Sequence, residues 1–278
     1  MNSPLPTQPP TQLSARQPTR PPTRPPTRPP TVGIIYPDHA AEDEYPAAAE
    51  RLGVHLPLEH VYGTDLHAVP ELLELGAPDR LAEGARRLVA RVAPGRLDAL
   101  MWACTSGSFV YGHEGVRRQA EQLAAAAGVP AASTSQAFVA ALAELGIERV
   151  AVAASYPEEV AQLFADFLIA SGIRVEAVGS AGITTAAQVG TLTAERVTDL
   201  AVRTDRDCAG AVLIPDTALH TLGVVEGLED RLGKPVLTAN QVTIWHGLRL
   251  AGTPVAAPGW GALFAQGIVN PGERDLRG

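Results

Sequence analysis

The chain is nearly devoid of cysteine, with only Cys104 and Cys208 among 278 residues. Two thiols are too few for a disulfide framework, which excludes a small secreted scaffold. No run of about 18 apolar residues occurs, so a membrane-spanning helix is not expected. The first residues lack the short apolar core of a secretory signal, and the reading is a cytoplasmic protein with free thiols. His39, His55, His60, His67, His113, His220 and His246 form no metal-binding spacing, and no Cys-x-x-Cys pair exists. Glycine-rich phosphate loops are missing too, so neither a metal nor a nucleotide cofactor is expected. Basic charge is in short supply: 22 Lys and Arg stand against 30 Asp and Glu, for a net charge of -8. Four of those arginines (Arg16, Arg20, Arg24, Arg28) lie in the first 31 residues, so the remainder is more acidic still. Such a body repels phosphate backbones, which argues against nucleic acid as a partner.

What is present is apolar and periodic. Hydrophobic residues make up 46% of the chain, enough for a sizeable core. Residues 1–31 are rich in Pro, Thr and Arg and are expected to form a disordered, extended tail. From Thr31 onward, short apolar runs alternate with helical patterns. Strands are expected at Thr31–Tyr36, Val54–Val61, Leu97–Ala103, Pro130–Ser133, Arg149–Ser155, Ile173–Val178, Ala211–Ile214 and Pro235–Leu237. Helical patterns include Val69–Val92, Gly115–Ala127, Ser135–Leu145, Glu158–Ser171 and Val224–Leu232. Alternation of this kind predicts an α/β fold with parallel sheets covered by helices on both faces.

Three blocks recur in the same order. Val32-Gly33-Ile34-Ile35-Tyr36-Pro37 matches Val152-Ala153-Ala154-Ser155-Tyr156-Pro157 at an offset of 120. Ala99–Thr105 matches Ala211–Thr217 at 112, and Pro130–Gln136 matches Pro235–Gln241 at 105. The repeat predicts two pseudo-symmetric halves. The first is 32–134, with 240–265 packing back onto it; the second is 135–239, and 266–278 is a C-terminal tail. Ligands of parallel sheets bind at strand C-termini, so the halves are expected to enclose one cleft. The repeat aligns Cys104 with Asp216 and Tyr36 with Tyr156 across it.

Cys104-Thr105-Ser106-Gly107-Ser108 follows a buried strand and precedes a helix. Helix-start N–H groups and the hydroxyls of Thr105 and Ser106 suit an anion. The helix dipole is expected to lower the Cys104 pKa. Asp216-Thr217 forms the partner turn, with Asp216 as acid or base and Thr217 as a donor. Tyr36 and Tyr156 are candidate phenol donors to a carboxylate. Asn240, which matches Ser135, is a further candidate for lining the cleft. Cys208 lies away from strand C-termini and is expected to be structural.

These segments resemble the aspartate/glutamate racemase superfamily, and within it the group of arylmalonate decarboxylase and maleate cis-trans isomerase. Cys104–Phe109, Ser133–Ser135, Arg149–Tyr156, Ala181–Thr184 and Pro258–Phe264 carry the resemblance. It implies a cofactor-free enzyme that acts on a small carboxylate through an enediolate-type intermediate. It also implies a carboxylate pocket of Thr105, Ser106 and Tyr156, and a homo-oligomer. The group's isomerases and racemases have a cysteine at both turns, and the decarboxylase has only the second. Here Cys104 stands at the first turn and Asp216 at the second. Asp38-His39-Ala40 occupies the place where the isomerases have asparagine. Decarboxylation is the leading expectation, with cis-trans isomerisation or racemisation as the alternative. A cysteine-dependent hydrolase and a non-catalytic binder of the same fold are the remaining readings.

Overall fold

The computed structural model describes residues 28–37 and 40–265. The calls on residues 1–27, on Asp38-His39 and on 266–278 lie outside the described residues. Chain order begins β1 (Val32–Pro37), α1 (Glu44–Leu52), β2 (Leu58–Val61), α2 (Val69–Leu75), α3 (Pro78–Arg91) and β3 (Ala99–Trp102). It continues through α4 (Ser106–Phe109), α5 (Gly112–Ala127), β4 (Ala131–Ser133) and α6 (Thr134–Leu145). Next come β5 (Arg149–Ala154), α7 (Glu158–Ala170), β6 (Arg174–Ser180), α8 (Ala186–Gly190), α9 (Ala194–Thr204) and β7 (Ala211–Ile214). The last elements are α10 (Val225–Leu232), β8 (Val236–Thr238), α11 (Ala239–Leu250) and α12 (Gly261–Ala265).

The strands form two parallel sheets of identical order, β2-β1-β3-β4 and β6-β5-β7-β8. This is the α/β architecture expected from the sequence. The central strands β3 and β7 are buried along their whole length, as their unbroken apolar runs require. One hydrophobic cluster runs through both sheets, including Val32, Met101, Val150, Leu213 and Leu237. Arg28 already belongs to the fold, where its guanidinium donates to both Asp98 carboxylate oxygens at 2.8 and 2.9 Å.

Sheet register corrects one part of the repeat. Val32 lies opposite Ala99, and Val150 lies opposite Ala211. Ala99 and Ala211 are equivalent positions, so the mate of Val32 is Val150, two residues before Val152. Tyr36 therefore aligns with Ala154, and Tyr156 sits two residues beyond the strand end. A shift of two preserves the inward face of a strand, which is why the apolar pattern did not reveal it. The third block holds: Ser133 and Thr238 both cap a helix, each with a glutamine three residues on in a capping box.

The helical pattern Val69–Val92 is two helices, α2 and α3. Pro78 cannot continue a helix, and it starts α3 instead. Gly76 ends α2 hard against the Cys104 turn: a Cβ there would lie 2.0 Å from the Gly107 carbonyl oxygen. Only glycine lets the two backbones meet, and Gln119 Nε2 clasps both carbonyls at 2.7 and 3.0 Å.

Candidate active site

Cys104 follows β3 and is 3% exposed. Its sulfur accepts the Gly107 N–H at 3.2 Å and lies 3.8 Å from Ser106 Oγ. Those contacts favour thiolate, but burial outweighs them and pushes the thiol up to about 12; the charge of Asp216 adds to the rise. The expected lowering by a helix dipole is thus reversed. The helix α4 is a single turn, too short for a strong dipole, and desolvation of the charged form dominates. Cys104 is therefore a neutral S–H at physiological pH.

Asp216 follows β7 and is equally buried, at 3% exposure. Its Oδ2 accepts the Ser155 hydroxyl, and its Oδ1 accepts the Ala218 N–H at 3.0 Å. His67 Nε2 lies 4.0 Å from Oδ2. The two turns line one small cavity of about 30 Å³, together with Ser106, Thr217, Tyr36 and His67. Leu66, Leu72 and Leu75 make one apolar wall. The cavity is roofed by two loops that pair through backbone bonds, His67 N–H to Thr184 and Ala186 N–H to Asp65, each 2.8 Å.

Both phenols are protonated, since burial pushes Tyr36 and Tyr156 well above the usual tyrosine range. Each spends its proton on a backbone carbonyl of the second turn: Tyr36 on Thr217 and Tyr156 on Pro215, both at 2.8 Å. The Thr105 hydroxyl is fully buried beside the Tyr156 phenol and makes no well-formed hydrogen bond. A buried hydroxyl left unpaired costs roughly 1–3 kcal/mol, so Thr105 is a donor held in reserve.

Comparisons with known proteins place the chain in a family. The sequence model of the family described as arylmalonate decarboxylase matches residues 60–264. The arylmalonate decarboxylase of Bordetella bronchiseptica is 31% identical over 238 residues, 84% of this chain and 96% of that one. The chain belongs to the arylmalonate decarboxylase family. Within reach of the same family lies a maleate isomerase of Alcaligenes faecalis, 25% identical over 206 residues, 72% of this chain and 79% of its own length. A solved arylmalonate decarboxylase, carrying one glycine-to-cysteine and one cysteine-to-serine replacement, superposes with a TM-score of 0.75. It is 27% identical, and the match covers 86% of this chain and all of that one.

Against the family's expected site, the structure brings Cys104, Ser106, Asp216, Thr217 and Tyr36 to the cavity wall. Thr105 and Tyr156 lie behind that wall, and Asn240 does not line it. Its amide donates to Glu44 Oε2 (2.7 Å), the Thr217 carbonyl (3.2 Å) and the Leu219 carbonyl (3.3 Å), and its oxygen accepts from Tyr45 (2.9 Å). Asn240 is a strut under the second turn, as its mate Ser135 is under the first through the Thr105 carbonyl at 3.0 Å. Cys208 is exposed beside Glu176, 3.6 Å from its carboxylate, and is not a core thiol. Sequence reasoning passed over Ser155, Glu44 and His67. Ser155 was hidden inside the misaligned Tyr-Pro block, and the other two lie in segments without a repeat mate. Among the described residues, no cluster of three His, Cys, Asp or Glu is arranged to hold a metal. No described helix is long and apolar enough to cross a membrane.

Proposed function

We propose that the protein decarboxylates a small malonate-type dicarboxylate, without a cofactor, through an enediolate-type intermediate. The observation that carries this reading is a buried Cys104 thiol that shares one small cavity with the Asp216 turn. One substrate carboxylate is received by Ser106 on the cavity wall, with the unspent Thr105 hydroxyl behind it. The other faces apolar Leu66, Leu72 and Leu75, where charge is poorly solvated and loss of CO2 relieves that cost. The electron pair of the broken C–C bond passes into the retained carboxylate as an enediolate. Cys104 S–H then protonates the carbon, and water restores the thiol.

A protonated thiol supports this reading over cis-trans isomerisation by thiolate addition to a double bond, since addition needs the anion that burial suppresses. It disfavours a thioester hydrolase for the same reason. A cytoplasmic, homo-oligomeric enzyme with halves 32–134 and 135–239 is part of the same proposal. Two free thiols support the reducing compartment.

The test is CO2 release from a series of α-substituted malonates. Wild type is expected to turn over the smaller members. Cys104→Ala is expected to lose about 10²–10⁴-fold, the range of one general acid. Absence of CO2 release from every malonate, or full activity in Cys104→Ala, would overturn the reading. Conversion of maleate to fumarate would establish isomerisation in its place.

A further inference from the structure

We propose that His67 is the proton-transfer residue on the Asp216 side of the cavity, taking the place of a second thiol. The inference rests on the site reading above and adds an activity to it: exchange and inversion of the α-proton of a bound monocarboxylate.

His67 is buried at 7% exposure and lines the cavity, although the loop that carries it belongs to the first half. Its Nδ1 lies 3.2 Å from the Ile183 carbonyl oxygen. A carbonyl only accepts, so Nδ1 carries the hydrogen and neutral His67 keeps its lone pair on Nε2. That lone pair is on the side of Asp216 Oδ2, at 4.0 Å. The ring is further fixed edge-on against Tyr156, with centroids 5.0 Å apart. The backbone N–H of His67 is tied to Thr184 at 2.8 Å. Tautomer, orientation and counter-charge are thus all set in one residue, the arrangement an acid–base imidazole needs. Asp216 is the positioning partner. Both of its oxygens are already held by Ser155 and Ala218, so it stays in place as the imidazole gains a proton.

The step balances as follows. Nε2 takes the α-proton of the bound acid, the C–H bond breaks, and its electron pair passes into the carboxylate as an enediolate. Cys104 S–H delivers a proton to the carbon from the other side. Imidazolium and thiolate then return to their starting forms by losing and gaining one proton through water. The configuration at the α-carbon inverts with no net change in protons.

The experiment uses the full chain in D2O with enantiopure α-methylbutyrate and α-phenylpropionate, following α-deuteration by NMR and configuration by chiral chromatography. Wild type is expected to deuterate and racemise at least one probe. His67→Gln is expected to slow exchange at least about 100-fold, and free imidazole is expected to restore part of it in His67→Gly. Added imidazole does not repair a merely structural defect. If His67→Gln gives no cooperative melt, Asp216→Asn supplies the same arm, with a loss of about 10-fold or more and a shifted pH–rate profile. The other titratable groups lining the cavity are Cys104, Tyr36 and Asp65, with Tyr156 behind the ring. None of Tyr36→Phe, Asp65→Asn and Tyr156→Phe is expected to reproduce that shift of the profile. Exchange in His67→Gln within about twofold of wild type, or imidazole without effect, overturns the proposal. CO2 release from malonates without α-exchange overturns it alone, and loss of both activities in wild type overturns the site reading with it.

Discussion

The two strand-end turns occupy equivalent places in the two sheets, yet they are held in opposite ways. The Cys104 turn is tied by its own neighbourhood. Ser108 bonds the Cys104 and Thr105 carbonyls at 3.1 and 2.8 Å, Gln119 bonds that of Gly107, and Ser135, 30 residues away, bonds that of Thr105. The Asp216 turn is tied from far along the chain. Tyr36 reaches the Thr217 carbonyl across 181 residues, and Glu44 accepts the Thr221 and Leu222 N–H groups, each at 2.7 Å, across 177 and 178. Ser155 donates to the carboxylate itself, and His67 lies 4.0 Å from it. The first turn is therefore a local structure, and the second exists only when the halves are docked. Contacts of such separation close late in folding.

The largest expected contrast is chemical. Raising the thiol from its usual value near 9 to about 12 leaves roughly a thousandfold less thiolate. Iodoacetamide at neutral pH is expected to label exposed Cys208 and leave Cys104 untouched until the fold is lost, as read by peptide mass spectrometry. Rapid labelling of native Cys104 would remove the argument for a neutral acid at the first turn.

A second contrast is in stability. Glu44→Ala strands the Thr221, Leu222 and Asn240 donors, at about 3 kcal/mol or more, and the loss is expected in denaturant unfolding. The same residue sets a pH dependence. Burial holds the Glu44 carboxyl above its usual value of 4.5, so the folded state binds its proton more tightly than the unfolded chain. Its contribution to stability is fully present below about pH 4.5 and is lost as pH rises through the raised value. Glu44→Gln is expected to flatten the unfolding free energy between pH 4.5 and 7 relative to wild type. Equal slopes would show that the second turn does not depend on this carboxylate.

The smallest contrast concerns the paired threonines. Thr105→Val removes a donor with no protein partner and is expected to raise KM about tenfold. Thr217 serves the second turn mainly through its carbonyl. Thr217→Val is thus expected to change KM less than about threefold, and steady-state kinetics on the working malonate separates the two.

Much of the scaffold was legible in the residues. Ala211–Ile214 read as a buried strand because four consecutive apolar residues need cover on both faces, and the Ser133/Gln136 and Thr238/Gln241 caps marked two equivalent helix starts. Cys104 and Asp216 were found because both follow such strands. The Tyr36–Tyr156 pairing was misread because side-chain alternation is blind to a slip of two. The state of the thiol was misread because burial is a property of the assembled core, while the capping donors are visible locally. His67 and Glu44 act through partners more than a hundred residues away, and no local pattern announces such partners.

The roof over the cavity has a kinetic consequence. It consists of two backbone hydrogen bonds between loops from opposite halves, each worth about 1 kcal/mol net. A closure that weak opens on a microsecond-to-millisecond scale. It sets a low threshold for entry and release. On the proposed decarboxylation, escape of CO2 and product then depends on the parting of Asp65–His67 from Thr184–Ala186.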